Sequence, residues 1–143
     1  MAMALLVAAV LGTAAADPSP VDCGRDAPAF MSAYARDLSA GDRVAIAGRY
    51  SRSGAYSLGF EAKILDSPEA ITRRFAGSAW QRPEAFEWQN LSYEQLGPTT
   101  CLVAGGFRWT AQGRTATLAY TSVLRAEEGG LRIMLEHENL LKQ

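Results

Sequence analysis

Four long runs of alternating apolar and polar residues, separated by tight turns, fill the chain from Phe86 to Asn139 and constrain its folding more than anything else in it. The runs are Phe86–Gln95, Thr100–Thr110, Arg114–Arg125 and Leu131–Asn139, broken by Gly97-Pro98, Gln112-Gly113 and Gly129-Gly130. Turn residues recurring between β-branched and aromatic runs predict an antiparallel meander. The Gly105-Gly106 pair falls inside the second run, where glycine marks a bend or bulge.

The residues before the meander read as helices, which makes the chain α+β. Phe30, Tyr34 and Leu38, with Met31 and Ala35, recur at helical spacing and form one apolar stripe. Gly41 ends that helix, and Asp42 caps a short second one carrying Val44, Ile46, Ala47 and Tyr50. Ala55–Phe60 and Ala62–Leu65 read as short strands. Ser67-Pro68-Glu69 then starts a third helix whose buried side is Ile71, Phe75 and Ala79, up to Trp80.

Strand faces follow from strict alternation. In the second long run Cys101, Val103, Gly105, Phe107 and Trp109 share a face; in the third, Leu118, Tyr120 and Leu124 oppose Ala119, Thr121 and Val123. In the last run Leu131, Ile133, Leu135, His137 and Asn139 fall on one side, and Arg132, Met134, Glu136 and Glu138 on the other. Apolar residues on both faces of the central strands imply a sheet covered on both sides. Helices cover one, and a second copy related by a two-fold axis is the economical cover for the other.

With 143 residues the chain supports one domain with a real core. A net charge of −1 and scattered basic residues exclude the electrostatic footprint of a nucleic-acid binder. Residues 1–16 form a short apolar, Ala-rich run ending in Ala14-Ala15-Ala16, which predicts a signal peptide cut after Ala16 although its start lacks Lys or Arg. The run is too short for a stable membrane span. An exported, periplasmic or secreted protein follows as an expectation. Residues 17–28, rich in Pro and Asp, are expected to form a linker or N-terminal arm before a domain over 29–143. Cys23 and Cys101 form a disulfide in an oxidising compartment, or stand as two buried thiols.

At this point the chain resembles the NTF2-like superfamily, in particular its SnoaL-like and ketosteroid-isomerase-like members. Tyr34-Ala-Arg-Asp-Leu-Ser-Ala-Gly41-Asp42, followed by Val44, Ile46 and Tyr50, is similar to the family's first two helices. Asp66-Ser-Pro-Glu-Ala-Ile71 resembles the start of its third helix, and Leu131-Arg-Ile-Met-Leu-Glu-His137 its closing strand, which often carries a histidine near its end. The resemblance implies an NTF2-like cone, with N-terminal helices packed in a curved mixed or antiparallel β-sheet around an apolar cavity. It also implies a homodimer through the outer sheet face. Tyr34 stands at the tyrosine position of the isomerase-like relatives, but their base position holds Leu58 and no Asp follows Asp66, so isomerase chemistry is not expected.

Candidate site residues are few. His137 is the only histidine, the residue type suited to proton transfer at neutral pH, and the alternation points it into the cone. Its acid–base partners would be Glu94, Tyr120 or Asn139; the plainer reading is a rim histidine without chemistry. Tyr34 is either a pocket hydroxyl or one more member of the helical stripe, and its neighbours Phe30 and Leu38 favour the second. Tyr34, Tyr56, Trp88, Phe107, Trp109, Tyr120 and His137 are the candidate ligand-binding set, with Phe60 a further aromatic. One His and two distant Cys make no metal cluster, and no cofactor motif is present. The sequence therefore predicts a non-catalytic binder of a small apolar molecule, or an accessory dimer module. The alternative is an enzyme of cyclase, dehydratase or isomerase type using His137 with Tyr34 or Tyr120.

Overall fold

The computed structural model describes residues 18–58 and 65–142. The leader and residues 59–64, which include Phe60 and most of the strand expected over Ala62–Leu65, lie outside the described residues. Helices α1 (Cys23–Ala40), α2 (Arg43–Ala47) and α3 (Pro68–Ala76) pack on one face of a sheet built from β1 (Ala55–Leu58), β2 (Leu65–Asp66), β3 (Ala85–Gly97), β4 (Thr100–Ala111), β5 (Arg114–Glu127) and β6 (Gly130–Lys142). The order is β2-β1-β6-β5-β4-β3. β3 to β6 form the antiparallel meander, while β1 runs parallel to β6 and makes the sheet mixed.

Local chemistry explains the helix ends. Asp22 caps α1 by accepting from the Gly24 amide at 3.1 Å, and Asp26 reaches back to the Asp22 amide at 2.9 Å. α1 therefore begins at Cys23, and residues 23–28 are helix rather than arm, Pro28 included. Burial decides this over the proline's local cost: Cys23 and Ala27 are sealed in the core. At the other end Gly41 adopts φ 71°, the left-handed cap that glycine tolerates best. Ser67 caps α3 through the Ala70 amide at 3.2 Å with Pro68 in the first turn. That helix stops at Ala76, so Ala79 lies beyond it and is exposed.

Bending of the sheet is written in β3 and β4. Asn90 and Leu91 of β3 together oppose Gly105 of β4, a bulge. A Cβ on Gly105 would sit 2.8 Å from the Asn90 carbonyl oxygen, and one on Gly106 would sit 2.7 Å from that of Leu118. Only glycine lets the backbones approach this closely, so the pair read as a bend from sequence is where the sheet curves. Inside the curve, Met31, Ile46, Ile71, Val103, Leu124 and Ile133 are almost wholly buried, each removal from water contributing about 1.5–3 kcal/mol. A disulfide joins Cys23 to Cys101, with Cα atoms 5.6 Å apart, and fastens the start of α1 to β4.

Candidate functional site

The core fills only one end of the cone. Towards the Gln112-Gly113 turn the sheet and helices part around a half-open cavity of about 500 Å3. Its walls are aromatic: Phe75, Trp80, Phe86, Trp88, Phe107 and Trp109 all face it. These rings brace one another edge to face, with centroids 4.7 Å apart for Phe86–Trp88 and 6.4 Å for Trp80–Trp109. The Trp88 indole donates to the Met31 carbonyl at 2.9 Å, which ties the wall to α1.

One end of the cavity is polar, and β6 supplies it. Val123 pairs with Leu135 and Leu124 with Ile133, so Met134 is left without a partner in a bulge. The bulge reverses the phase of the strand. Before it, Leu131 and Ile133 point into the core; after it, Glu136, Glu138 and Leu140 point into the cavity. His137 is consequently turned to the opposite face and exposed, which corrects the expectation that it lies in the cone. With no cavity contact, His137 loses the acid–base and ligand-binding roles that strict alternation assigned to it.

Glu136 is 8% exposed and sits under three tyrosine hydroxyls. Tyr50 donates to Oε1 at 3.0 Å, Tyr120 to Oε2 at 3.2 Å, and Tyr34 to Oε2 at 3.5 Å. Tyr34 and Tyr50 also share a 3.0 Å hydrogen bond. The chain brings them together from three elements. Tyr34 comes from the α1 stripe and Tyr120 from the inner face of β5. Tyr50 is fixed behind α2 by backbone bonds from Ile133 N to Arg49 O (2.8 Å) and from Ser51 N to Ile133 O (2.9 Å). The three phenols hold one proton each for these four contacts, so one of the Tyr34–Tyr50 pair donates either to the other or to Glu136, and with Glu136 ionised all three protons stay within the cluster. Burial pushes the Glu136 carboxyl above its ordinary range, against the pull of the Tyr50 bond, Arg74 and the other two hydroxyls. Burial, then the Glu136 charge, pushes all three tyrosines well above theirs.

Glu138 lies half-buried at the cavity wall and, among the described residues, makes no hydrogen bond or ion pair. Burial first and the Glu136 charge second push its carboxyl up to about 8, with Arg74 opposing. Arg74, from α3, also faces the cavity, but its Nη1 is held by Ser57 Oγ at 2.8 Å and Asp66 Oδ2 at 3.1 Å. Its guanidinium lies 5.6 Å from the centre of the Tyr50 ring. Two carboxyls thus share an aromatic enclosure in which the one lining cation among the described residues, Arg74, is already paired with Asp66.

The sequence-predicted set divides cleanly. Tyr34, Trp88, Phe107 and Trp109 line the cavity, and Tyr120, 1% exposed, contributes its hydroxyl to Glu136. Tyr34 is buried with the α1 stripe and borders the cavity, and its hydroxyl is bonded within the protein, to Tyr50 and Glu136. Tyr56 does not belong: it is 44% exposed on β1 while Ser57 and Leu58 turn towards the cavity. Tyr50, Arg74, Glu136 and Glu138 were not singled out by sequence. The three consecutive apolar residues Ile133-Met134-Leu135 are the signal that could have found the glutamates, because an apolar run puts apolar side chains on both faces and leaves room for a change of phase within the strand.

No protein-family model matches this sequence, and no curated protein does. Solved structures do. One, a protein provisionally named a ketosteroid isomerase from Parabacteroides distasonis, superposes with a TM-score of 0.68 at 13% identity, covering 88% of this chain and 96% of that one. An NTF2-like protein of unknown function from Shewanella oneidensis gives 0.69 at 12% identity, over 81% and 98%. The CaMKII hub homology domain of Chlamydomonas reinhardtii gives 0.65 at 15% identity, over 85% and 100%. These neighbours share the helices cupped by a mixed, unclosed sheet, and the chain has the NTF2-like fold.

Proposed function

We propose that this protein binds a small, largely apolar molecule in the aromatic cavity, with one polar group of the ligand directed at Glu136, Glu138 and the tyrosine hydroxyls. The observation that carries the reading is a half-open cavity of about 500 Å3 with apolar walls and polar groups gathered at one end, the form of a small-molecule site. The chain's three tryptophans, Trp80, Trp88 and Trp109, all face that cavity, so intrinsic fluorescence reports its occupancy. Protein purified from its own host is expected to retain a ligand in native mass spectrometry, and its removal to change the emission. Ala116→Trp, which fills the cavity, abolishes both signals. An empty cavity that no apolar probe perturbs overturns the reading.

Self-association and export belong to the same proposal. Half-exposed Leu102, Val123, Met134 and Leu135 support a contact between copies, as does the likeness to a hub homology domain. Light scattering tests it: a monomer at high micromolar concentration removes it. The Cys23–Cys101 bond supports an oxidising compartment.

One observation favours a second reading, an acid–base enzyme built on Glu138 in place of His137. A carboxyl held at about 8 on the cavity wall, two residues along the strand from the tyrosine-bonded Glu136, can give and take a proton near neutrality. Conversion of the retained ligand by the native protein but not by Glu138→Gln would establish it; identical recovery of unchanged ligand from both would remove it.

A further inference from the structure

Resting on the binding reading, we infer that the ligand class suited to this cavity is a hydrophobic amine: an ammonium head between Glu136 and Glu138, and an apolar body against the tryptophan and phenylalanine rings.

The charge inventory leads there. Glu136 and Glu138 are two residues apart on the same face of β6, which places their Cα atoms about 7 Å from each other. Among the described residues, the charged or titratable groups facing them are Tyr34 on α1, Tyr50 after α2, Arg74 on α3 and Tyr120 on β5. Ser57 on β1 faces the cavity as well. The tyrosines donate to Glu136 and cannot neutralise it. Arg74 is bonded to Asp66 and Ser57, so its charge is shared with Asp66 and only partly offsets the pair. What remains is an excess of carboxyl in an apolar enclosure, with Glu138 unpartnered among the described residues. Moving a lone cation into such a space is costly, and the cost is met only where opposite charge waits in a low-dielectric setting. Two carboxyls supply that here, and the aromatic faces add cation–π attraction. A carboxylate ligand would meet like charge. A neutral alcohol or ketone gains no charge attraction from the pair.

Proton linkage sharpens the inference. In the empty cavity Glu138 holds its proton up to about pH 8. An ammonium favours the ionised carboxylate and displaces that proton. Amine affinity must therefore rise as pH approaches 8, by up to about tenfold per pH unit, then level off. An alcohol has no such linkage.

The test uses three probes with one apolar body, 4-phenylbutylamine, 4-phenylbutanol and 4-phenylbutyrate, titrated calorimetrically into the full protein at pH 6, 7 and 8 in buffers of different ionisation heat. The expected result at pH 8 is an amine at least about tenfold tighter than the alcohol, a carboxylate weaker than both, and proton release on amine binding only. Glu138→Gln is expected to bind the amine no tighter than the alcohol and to lose the pH slope. An alcohol equal to or tighter than the amine, or an amine affinity independent of pH, overturns the inference and leaves the binding reading intact. If none of the three binds, and Ala116→Trp gives the same blank, both fall.

Discussion

The two halves of β6 lie in one strand, beside one neighbour, and do opposite things. Ahead of the Met134 bulge, Ile133 joins Leu124 and Cys101 in a row across the sheet, and all three are fully buried. Beyond it, Leu140 joins Leu118 and Phe107 in a parallel row that faces open space. The first row is core, where apolar area removed from water stabilises the fold. The second row is wall, where the same residue types leave a hollow and where two glutamates are tolerated because solvent and tyrosines stay within reach. One unpaired residue separates a structural end of the cone from a chemical one.

Severing the structural end has the largest expected effect. The disulfide spans a sequence separation of 78 and anchors the row at Cys101, so Cys23→Ser with Cys101→Ser should cost about 4 kcal/mol of unfolding free energy. Urea denaturation measures it. The comparison breaks if the folded variant also loses probe binding, because the cavity row does not depend on that bond. Next in size is Ile133→Ala, which leaves a void in a filled layer and should cost about 3 kcal/mol. Leu140→Ala, at the half-exposed wall, should cost under about 1 kcal/mol. Equal losses would mean that the two rows are packed alike.

The third test turns on pH. Glu138 titrates at about 8 in the folded protein against 4.5 for its ordinary value, so the folded state keeps a proton that the unfolded chain has released. Stability from this group is full below about pH 4.5 and is lost as pH rises through 8. Glu136, also raised, acts in the same direction. Glu138→Gln removes the penalty. It should be more stable than the parent by about 2 kcal/mol at pH 8.5, after discounting for partial solvent access, and match it near pH 4.5. Melting curves across that range decide the matter; a difference that grows towards acid would place Glu138 in an ion pair.

Most of the fold was legible because its signals are local. The Gly41 cap, the Ser67-Pro68 start, the inner faces of β4 and β5 and the Gly105-Gly106 bend each depend on a few neighbouring residues, and the structure keeps all of them. The arm over residues 17–28 was misread because Pro28 argued locally against a helix that Cys23 and Ala27 secure by distant packing. The site was half legible. Aromatic residues on the inner faces announce a lining, so Trp88, Phe107 and Trp109 were found. Tyr50 reaches the site through backbone bonds to Ile133 of β6, and Arg74 through the packing of α3 on α2 and β2, tertiary contacts that no spacing in the sequence encodes. Glu136 and Glu138 were hidden by a single bulge that exchanged the two faces of the closing strand.

That exchange supplies the smallest expected effect and the cleanest check on the comparison. His137→Ala alters a side chain on the exposed outer face, opposite the cavity and across from Thr121 on β5. Stability should change by no more than about 0.5 kcal/mol, as for surface substitutions without buried partners. Affinity for cavity probes and its pH dependence should stay where they are, since both are set by the residues on the other side of the strand. A loss of binding, or a flattened pH profile, would mean that β6 runs without its bulge in solution. Leu135 and His137 would then face inwards, Glu136 and Glu138 would point to solvent, and the tyrosine hydroxyls would converge on nothing.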